Sequence, residues 1–186
     1  MSSDGSLTNM KAIKITSLIT VAAMAAYVAL LGSRATGEPS DTFTDDGKAA
    51  PAWTLTDVSG KVIHSDDLKG KVVVLDFWAT WCGPCRIEIP GFIALQKQYR
   101  DLGLTVIGAS VDEGGAAVVK KFADQLGVNY PVGVADDSIQ AAFGGIVGLP
   151  TTFIIDRQGR FVSKHLGLTD QSEFDAELKP LLVQKP

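Results

Sequence analysis

Apolar residues fall along this chain in two different patterns. The first is a single block, Ile15 to Leu31, broken only by Thr16, Ser17 and Thr20. As a helix rising about 1.5 Å per residue it spans about 26 Å, close to the hydrocarbon thickness of a bilayer. Lys11 and Lys14 precede the block and Arg34 follows it, a distribution that predicts an inside N-terminus and an exported remainder. Ser33-Arg34-Ala35 also supplies small residues of the kind signal peptidases recognise, so the segment reads as a transmembrane anchor or a signal peptide. Residues 1–14 are then a cytoplasmic N-terminus. Residues 32–50, rich in Gly, Ser, Thr, Asp and Pro, form a flexible linker, and 51–186 are the folded domain.

The second pattern is a series of short apolar runs separated by turn residues. Trp53 and Leu55 alternate with polar residues, Ser59-Gly60 makes a turn, and Val62-Ile63 returns, which predicts a small hairpin. Lys71 to Trp78 is nearly continuous in apolar residues, as in a central strand covered on both faces. Ile87, Phe92, Ile93, Leu95 and Tyr99 then recur at helical spacing, with a kink expected at Pro90. Leu104 to Val111 predicts a second buried strand, and Val118, Val119, Phe122, Ala123 and Leu126 predict a helix stopped by Gly127. A short strand at Tyr130 to Val134 and a short helix at Ile139 to Phe143 follow. Thr151 to Ile155 and Arg160 to His165 flank the turn Asp156-Arg157-Gln158-Gly159 as an antiparallel hairpin. Asp170 with Glu173 opens a last helix running to Val183. Strands alternating with helices and ending in a hairpin give an α/β fold, a mixed sheet with helices on both faces.

Composition narrows the function classes. The net charge is −4 and no basic cluster occurs, which excludes the electrostatic footprint of a nucleic-acid binder. The chain has only two cysteines, Cys82 and Cys85, in Trp81-Cys82-Gly83-Pro84-Cys85. A structural zinc site would need two further ligands, and the two histidines, His64 and His165, lack any paired metal spacing. A disulfide closing so short a ring constrains the unfolded chain little, so the pair is a poor staple and a good exchangeable couple.

The strand ending at Trp78 feeds a helix beginning near Pro84, which puts Cys82 at the helix N-terminus. Unpaired backbone N–H groups and the helix dipole favour a thiolate there. Cys82 is thus the attacking nucleophile and Cys85 the resolving thiol. Pro84 fits a first helical turn, where its missing N–H has no partner. Asp76, inside an apolar strand, is costly to bury unless protonated or paired, and is a candidate base for Cys85; a water-facing carboxylate at the strand end is the alternative. Glu88 lies one helical turn beyond Cys85, where it either tunes the thiols or belongs to a solvated helix face. Pro150 heads the strand Thr151 to Ile155, a position compatible with a cis bond.

Asp76 to Cys85, read Asp-Phe-Trp-Ala-Thr-Trp-Cys-Gly-Pro-Cys, resembles the active-site segment of thioredoxin. Pro51 to Leu55, Asp57, Gly60, Gly70-Lys71, Arg86, Glu88-Ile89-Pro90, Gly148 to Asp156 and Gly159 further resemble the membrane-anchored TlpA/ResA-like thioredoxins. The resemblance covers about residues 51 to 183. It implies a thioredoxin-like fold with an N-terminal β-hairpin and an extra helix and strand between Asp112 and Val147. It also implies an attacking Cys82, a resolving Cys85, a cis Pro150 facing the disulfide, substrate docking on the Leu149 backbone, Trp81 shielding the pair, and Glu88 linked to thiol acid–base behaviour. Gly83, Pro84 and Trp81 would flank the bound substrate. One departure is Asp76, where asparagine is common in the anchored group; with Gly83-Pro84 it leans toward thioredoxin.

The expected activity is extracytoplasmic thiol–disulfide exchange that reduces exported proteins, as in cytochrome c maturation or copper-site assembly. It needs no cofactor and draws electrons from a membrane donor. Two alternatives stand beside it. A peroxiredoxin-like peroxidase would want proline and threonine where this chain has Leu75 and Ala79. A copper(I) chaperone would add a third ligand such as His165 to the two thiolates.

Overall fold

The computed structural model describes residues 47–183, so the expected cytoplasmic segment, the anchor at 15–31 and most of the linker lie outside the described residues. Among the described residues no helix is long and apolar enough to cross a membrane.

Strands β1 (Thr54–Thr56) and β2 (Val62–His64) form the expected hairpin, with Leu55 opposite Ile63 and both buried. The Asp57 carboxylate closes its turn by accepting the Ser59 and Lys61 N–H groups at 2.8 and 2.9 Å. Folded structure starts earlier than the linker boundary at residue 50. Gly47 and Ala50 donate N–H bonds to Phe161 and Gly159 carbonyls, and Ala49 bridges Arg160. The backbone of 47–50 thus covers a sheet edge, which the Gly-Lys-Ala-Ala stretch did not signal.

The main sheet has five strands in the order β5-β4-β3-β6-β7, from β3 (Val72–Trp78), β4 (Leu104–Ser110), β5 (Val132–Val134), β6 (Thr151–Ile155) and β7 (Phe161–Leu166). β3, β4 and β5 run parallel, while β6 and β7 are antiparallel. Every residue of β3 is buried because the strand lies mid-sheet with both faces covered.

Side chains alternate between faces along a strand. Val72, Val74 and Trp78 of β3 join α1 (Gly83–Tyr99), α2 (Gly115–Leu126) and α4 (Gln171–Val183) in one core cluster. Val73, Leu75 and Phe77 point the other way, into a second cluster with the hairpin and Ile139 of α3 (Asp137–Ala142). Asp76 shares the parity of Val74 and Trp78, so it faces the α1 side.

Helix α1 continues through Pro90 to Tyr99. α2 stops at Gly127, whose φ of 67° is the left-handed conformation glycine adopts freely. Asp136 caps α3 by accepting the Ile139 N–H at 2.9 Å. Arg157, in the β6–β7 turn, donates to the carbonyls of Gly70, Leu102 and Leu182, tying that turn to the entries of β3 and β4 and to the end of α4.

Candidate active site

β3 ends at Trp78 and four residues later the chain enters α1, with Cys82 as its N-cap. Cys82 and Cys85 are joined by a disulfide with Cα atoms 5.3 Å apart. The Cys82 sulfur accepts the Cys85 N–H at 3.2 Å, one of the helix's orphan donors. In the reduced protein the same N–H and the helix dipole favour a thiolate on Cys82. Pro84 sits in the first turn, as expected.

The two cysteines differ in access, though less than an exposed nucleophile would. Cys82 is 5% exposed and Cys85 1% exposed. Cys82, not Cys85, lines a groove of about 480 Å³ with Trp81, Gly83, Pro84, Val111, Gln140, Ile146, Val147, Gly148 and Leu149. Of the two sulfurs, Cys82 is thus the one on the groove side. Trp81 is 68% exposed on the groove wall beside Cys82, a position suited to contact with a partner as much as to covering the pair. A Cβ on Gly83 would meet nothing within 4 Å, so that side of the disulfide is open. The Leu149–Pro150 bond is cis. Among the described residues Leu149 makes no backbone hydrogen bond, which leaves its N–H and C=O for an incoming strand.

Two carboxyls are buried on β3 and α1, the elements that flank the cysteine loop. Asp76 is 2% exposed and accepts the Thr152 hydroxyl at 3.1 Å, which excludes the water-facing alternative. Burial, and then the charge of Glu88, push its pKa up to about 8. Glu88 is buried too, not part of a solvated helix face. Desolvation pushes its pKa up to about 7, opposed by the Thr169 N–H that donates to Oε1. Its Oε2 is buried without a hydrogen-bond partner. Burial and both carboxyls also hold the Tyr130 phenol well above its ordinary range, so this tyrosine belongs to the same polar pocket.

Asp112 was not singled out by its sequence pattern. Its buried carboxylate accepts Thr80 N–H at 2.8 Å, Thr80 Oγ1 at 2.6 Å and Ser110 Oγ at 2.6 Å. It fixes the loop that presents Cys82 to the end of β4. Its only sequence signal is a carboxylate directly after an apolar strand. Arg86 lies over the Phe122 ring at 5.6 Å, and that ring packs on Trp78 at 5.6 Å.

The histidines stand elsewhere. His64 Nδ1 is hydrogen-bonded to Thr54, and His165 contacts Glu173 and Glu177 through its two ring nitrogens, which does not favour a third thiolate-site ligand. Leu75 and Ala79 are buried apolar core residues that offer a peroxide no polar group.

A dithiol at a helix N-terminus, beside a cis-proline loop on a mixed sheet of this order, defines a thioredoxin-fold exchange protein. The model of the AhpC/TSA family matches residues 47–163, and the chain belongs to that family. It is 39% identical over 137 residues to a thiol-disulfide oxidoreductase ResA of Bacillus thuringiensis, covering 73% of this chain and 78% of the relative. A thioredoxin-family thiol:disulfide interchange protein of Chlorobium tepidum superposes with a TM-score of 0.67 at 37% identity, over 72% of this chain and 95% of that one. A secreted thiol-disulfide isomerase of Corynebacterium glutamicum gives 0.67 at 25% identity, over 73% and 86%. The chain is a thiol–disulfide oxidoreductase of the ResA-like kind, and its two cysteines are joined as the Cys82–Cys85 disulfide.

Proposed function

We propose that the protein is tethered by residues 15–31 and reduces disulfides of exported proteins on the outer side of the membrane. The observation that carries this reading is the asymmetry of the pair: Cys82 lines the groove while Cys85, 1% exposed, does not, and β3 and α1 each supply a buried carboxyl, Asp76 and Glu88. The Cys82 thiolate attacks one sulfur of a substrate disulfide, forming a mixed disulfide and expelling the other sulfur as a thiolate. Cys85 then gives its proton to the Asp76 carboxylate and attacks the Cys82 sulfur. The second substrate thiolate leaves, the Cys82–Cys85 disulfide forms, and two electrons have passed to the substrate. Asp76, with a pKa near 8, accepts a thiol proton far better than an ordinary carboxylate would. The Leu149 backbone, Trp81, Gly83 and Pro84 hold the extended substrate segment.

Export is supported by Lys11, Lys14 and Arg34 around the apolar block, and by the likeness to a secreted thiol-disulfide isomerase of Corynebacterium glutamicum. Regeneration requires a membrane dithiol donor on the same side. Cytochrome c maturation and copper-site assembly are the two substrate groups this reading favours. Cys85→Ser, expressed in intact cells, is expected to accumulate mixed disulfides through Cys82 with exported proteins. Recovery of none, with Cys82 still reactive to a small thiol reagent, overturns the reading.

A further inference from the structure

A second polar cluster lies on the edge strand of the sheet, separate from the groove. Ser163 and His165 alternate on β7 and so share a face, and Glu173 and Glu177 are one helical turn apart on α4. His165 Nε2 is 3.2 Å from Glu177 Oε1, and Nδ1 is 3.8 Å from Glu173 Oε1. Ser163 Oγ donates to Glu177 Oε2 at 2.6 Å. One ligand atom each from His165, Glu173 and Glu177 lie within 4.8 Å of one another.

We propose that His165, Glu173 and Glu177 form a binding site for a divalent transition-metal ion of the zinc class. An imidazole nitrogen with two carboxylate oxygens is a three-ligand set that zinc accepts at about 2.0–2.2 Å, leaving one position for water. Ligand atoms on one tetrahedral ion stand about 3.3 Å apart at those bond lengths. The His165–Glu177 pair is already at that separation, at 3.2 Å. Only Glu173 has to move inward, and its side chain is 60% exposed and free to swing. The imidazole is 11% exposed and held edge-on to the Phe174 ring at 4.9 Å, so its direction is fixed by packing.

Charge supplies an independent argument. The two carboxylates bring two negative charges to one imidazole, with only the neutral Ser163 hydroxyl added at Glu177. The place also matters. The cluster clamps both ends of the connection from β7 to α4, and Thr169 in that connection donates the N–H held by Glu88. Phe174 packs on His165 on one side and on Phe92 of α1 on the other, at 5.1 Å. An ion here would brace the segment that positions Glu88.

The test is zinc(II) titration of the full chain in detergent, without a polyhistidine tag and with the Cys82–Cys85 disulfide intact, so that no thiolate competes. One equivalent is expected to bind with Kd below about 10 μM. His165→Ala and Glu177→Gln are each expected to weaken binding by at least about tenfold, and His64→Ala to leave it unchanged. Glu173→Gln, at an exposed position, serves where the others perturb folding, and cobalt(II) reports nitrogen and oxygen ligation by its visible absorption. Binding that survives both His165→Ala and Glu173→Gln, or binding of wild type only at millimolar zinc, overturns the proposal.

Discussion

Thr152 Oγ1 donates to Asp76 Oδ1 at 3.1 Å from the position directly opposite it, because β3 and β6 are antiparallel neighbours in that register. This one hydrogen bond holds the Asp76 carboxyl in place while its pKa stays raised. A hydroxyl lowers a carboxyl pKa only modestly, and burial together with Glu88 outweighs it.

Asp76→Asn keeps the shape and can still accept the Thr152 hydroxyl, so the fold should persist. The resolving step should slow by at least about tenfold near pH 7, since general bases contribute about 10²-fold or more. Stopped-flow fluorescence of a preformed mixed disulfide reads this rate, and an unchanged rate removes Asp76 from the mechanism.

Both raised carboxyls bind protons in the folded state that the unfolded chain has released. Their contribution to stability is fully present below about pH 4, the unfolded value, and is lost as pH rises through about 7 and 8. The urea midpoint of the oxidised protein should therefore fall between pH 5 and pH 8. Asp76→Asn combined with Glu88→Gln should flatten the fall, and a double variant as pH-sensitive as wild type would contradict it.

Asp112→Ala leaves the Thr80 N–H and hydroxyl without their carboxylate. A loss of about 2–3 kcal/mol is expected for a charge-assisted buried group. Denaturant unfolding checks the magnitude, and faster amide exchange at Thr80 to Cys82 checks the location.

A Cβ on Gly133 would stand 2.3 Å from the Thr56 carbonyl oxygen and 2.9 Å from Leu55. Gly133→Ala should cost about 1–3 kcal/mol or more by forcing the hairpin away from β5. A wild-type unfolding midpoint for Gly133→Ala would show that the hairpin moves freely.

Trp81 is mostly exposed, so Trp81→Ala should change stability by less than about 0.5 kcal/mol. If the indole holds substrate, KM for a protein disulfide should rise severalfold while the rate with a small disulfide stays near wild type. Equal losses on both substrates would place Trp81 in the chemistry of the cysteines.

Periodicity carried most of the element order, because each element buries a face that its own residues must supply. The β3 run, the α2 stop at Gly127 and the β6 span all stand where apolar spacing and glycine put them. Cys82 at a helix start and Pro150 at a strand start were likewise local features. The docked backbone of 47–50 was not legible, since backbone pairing leaves no side-chain pattern. Nor were the partners of the polar residues: Asp112 meets Thr80 across 32 positions, Glu88 meets Thr169 across 81, and Asp76 meets Thr152 across 76.

The sequence by itself therefore determined the chemistry on offer: two cysteines at a helix entry, an acid in an apolar strand, a proline that can turn cis. Only the tertiary structure decided how these groups act. Strand order β5-β4-β3-β6-β7 set Thr152 and Gly108 beside Asp76, and packing of α1 on the sheet set Glu88 close enough for its charge to help raise the pKa of Asp76. The physical reason is that a proton affinity depends on burial and neighbouring charge. Both are properties of the assembled core and are absent from any local run of residues.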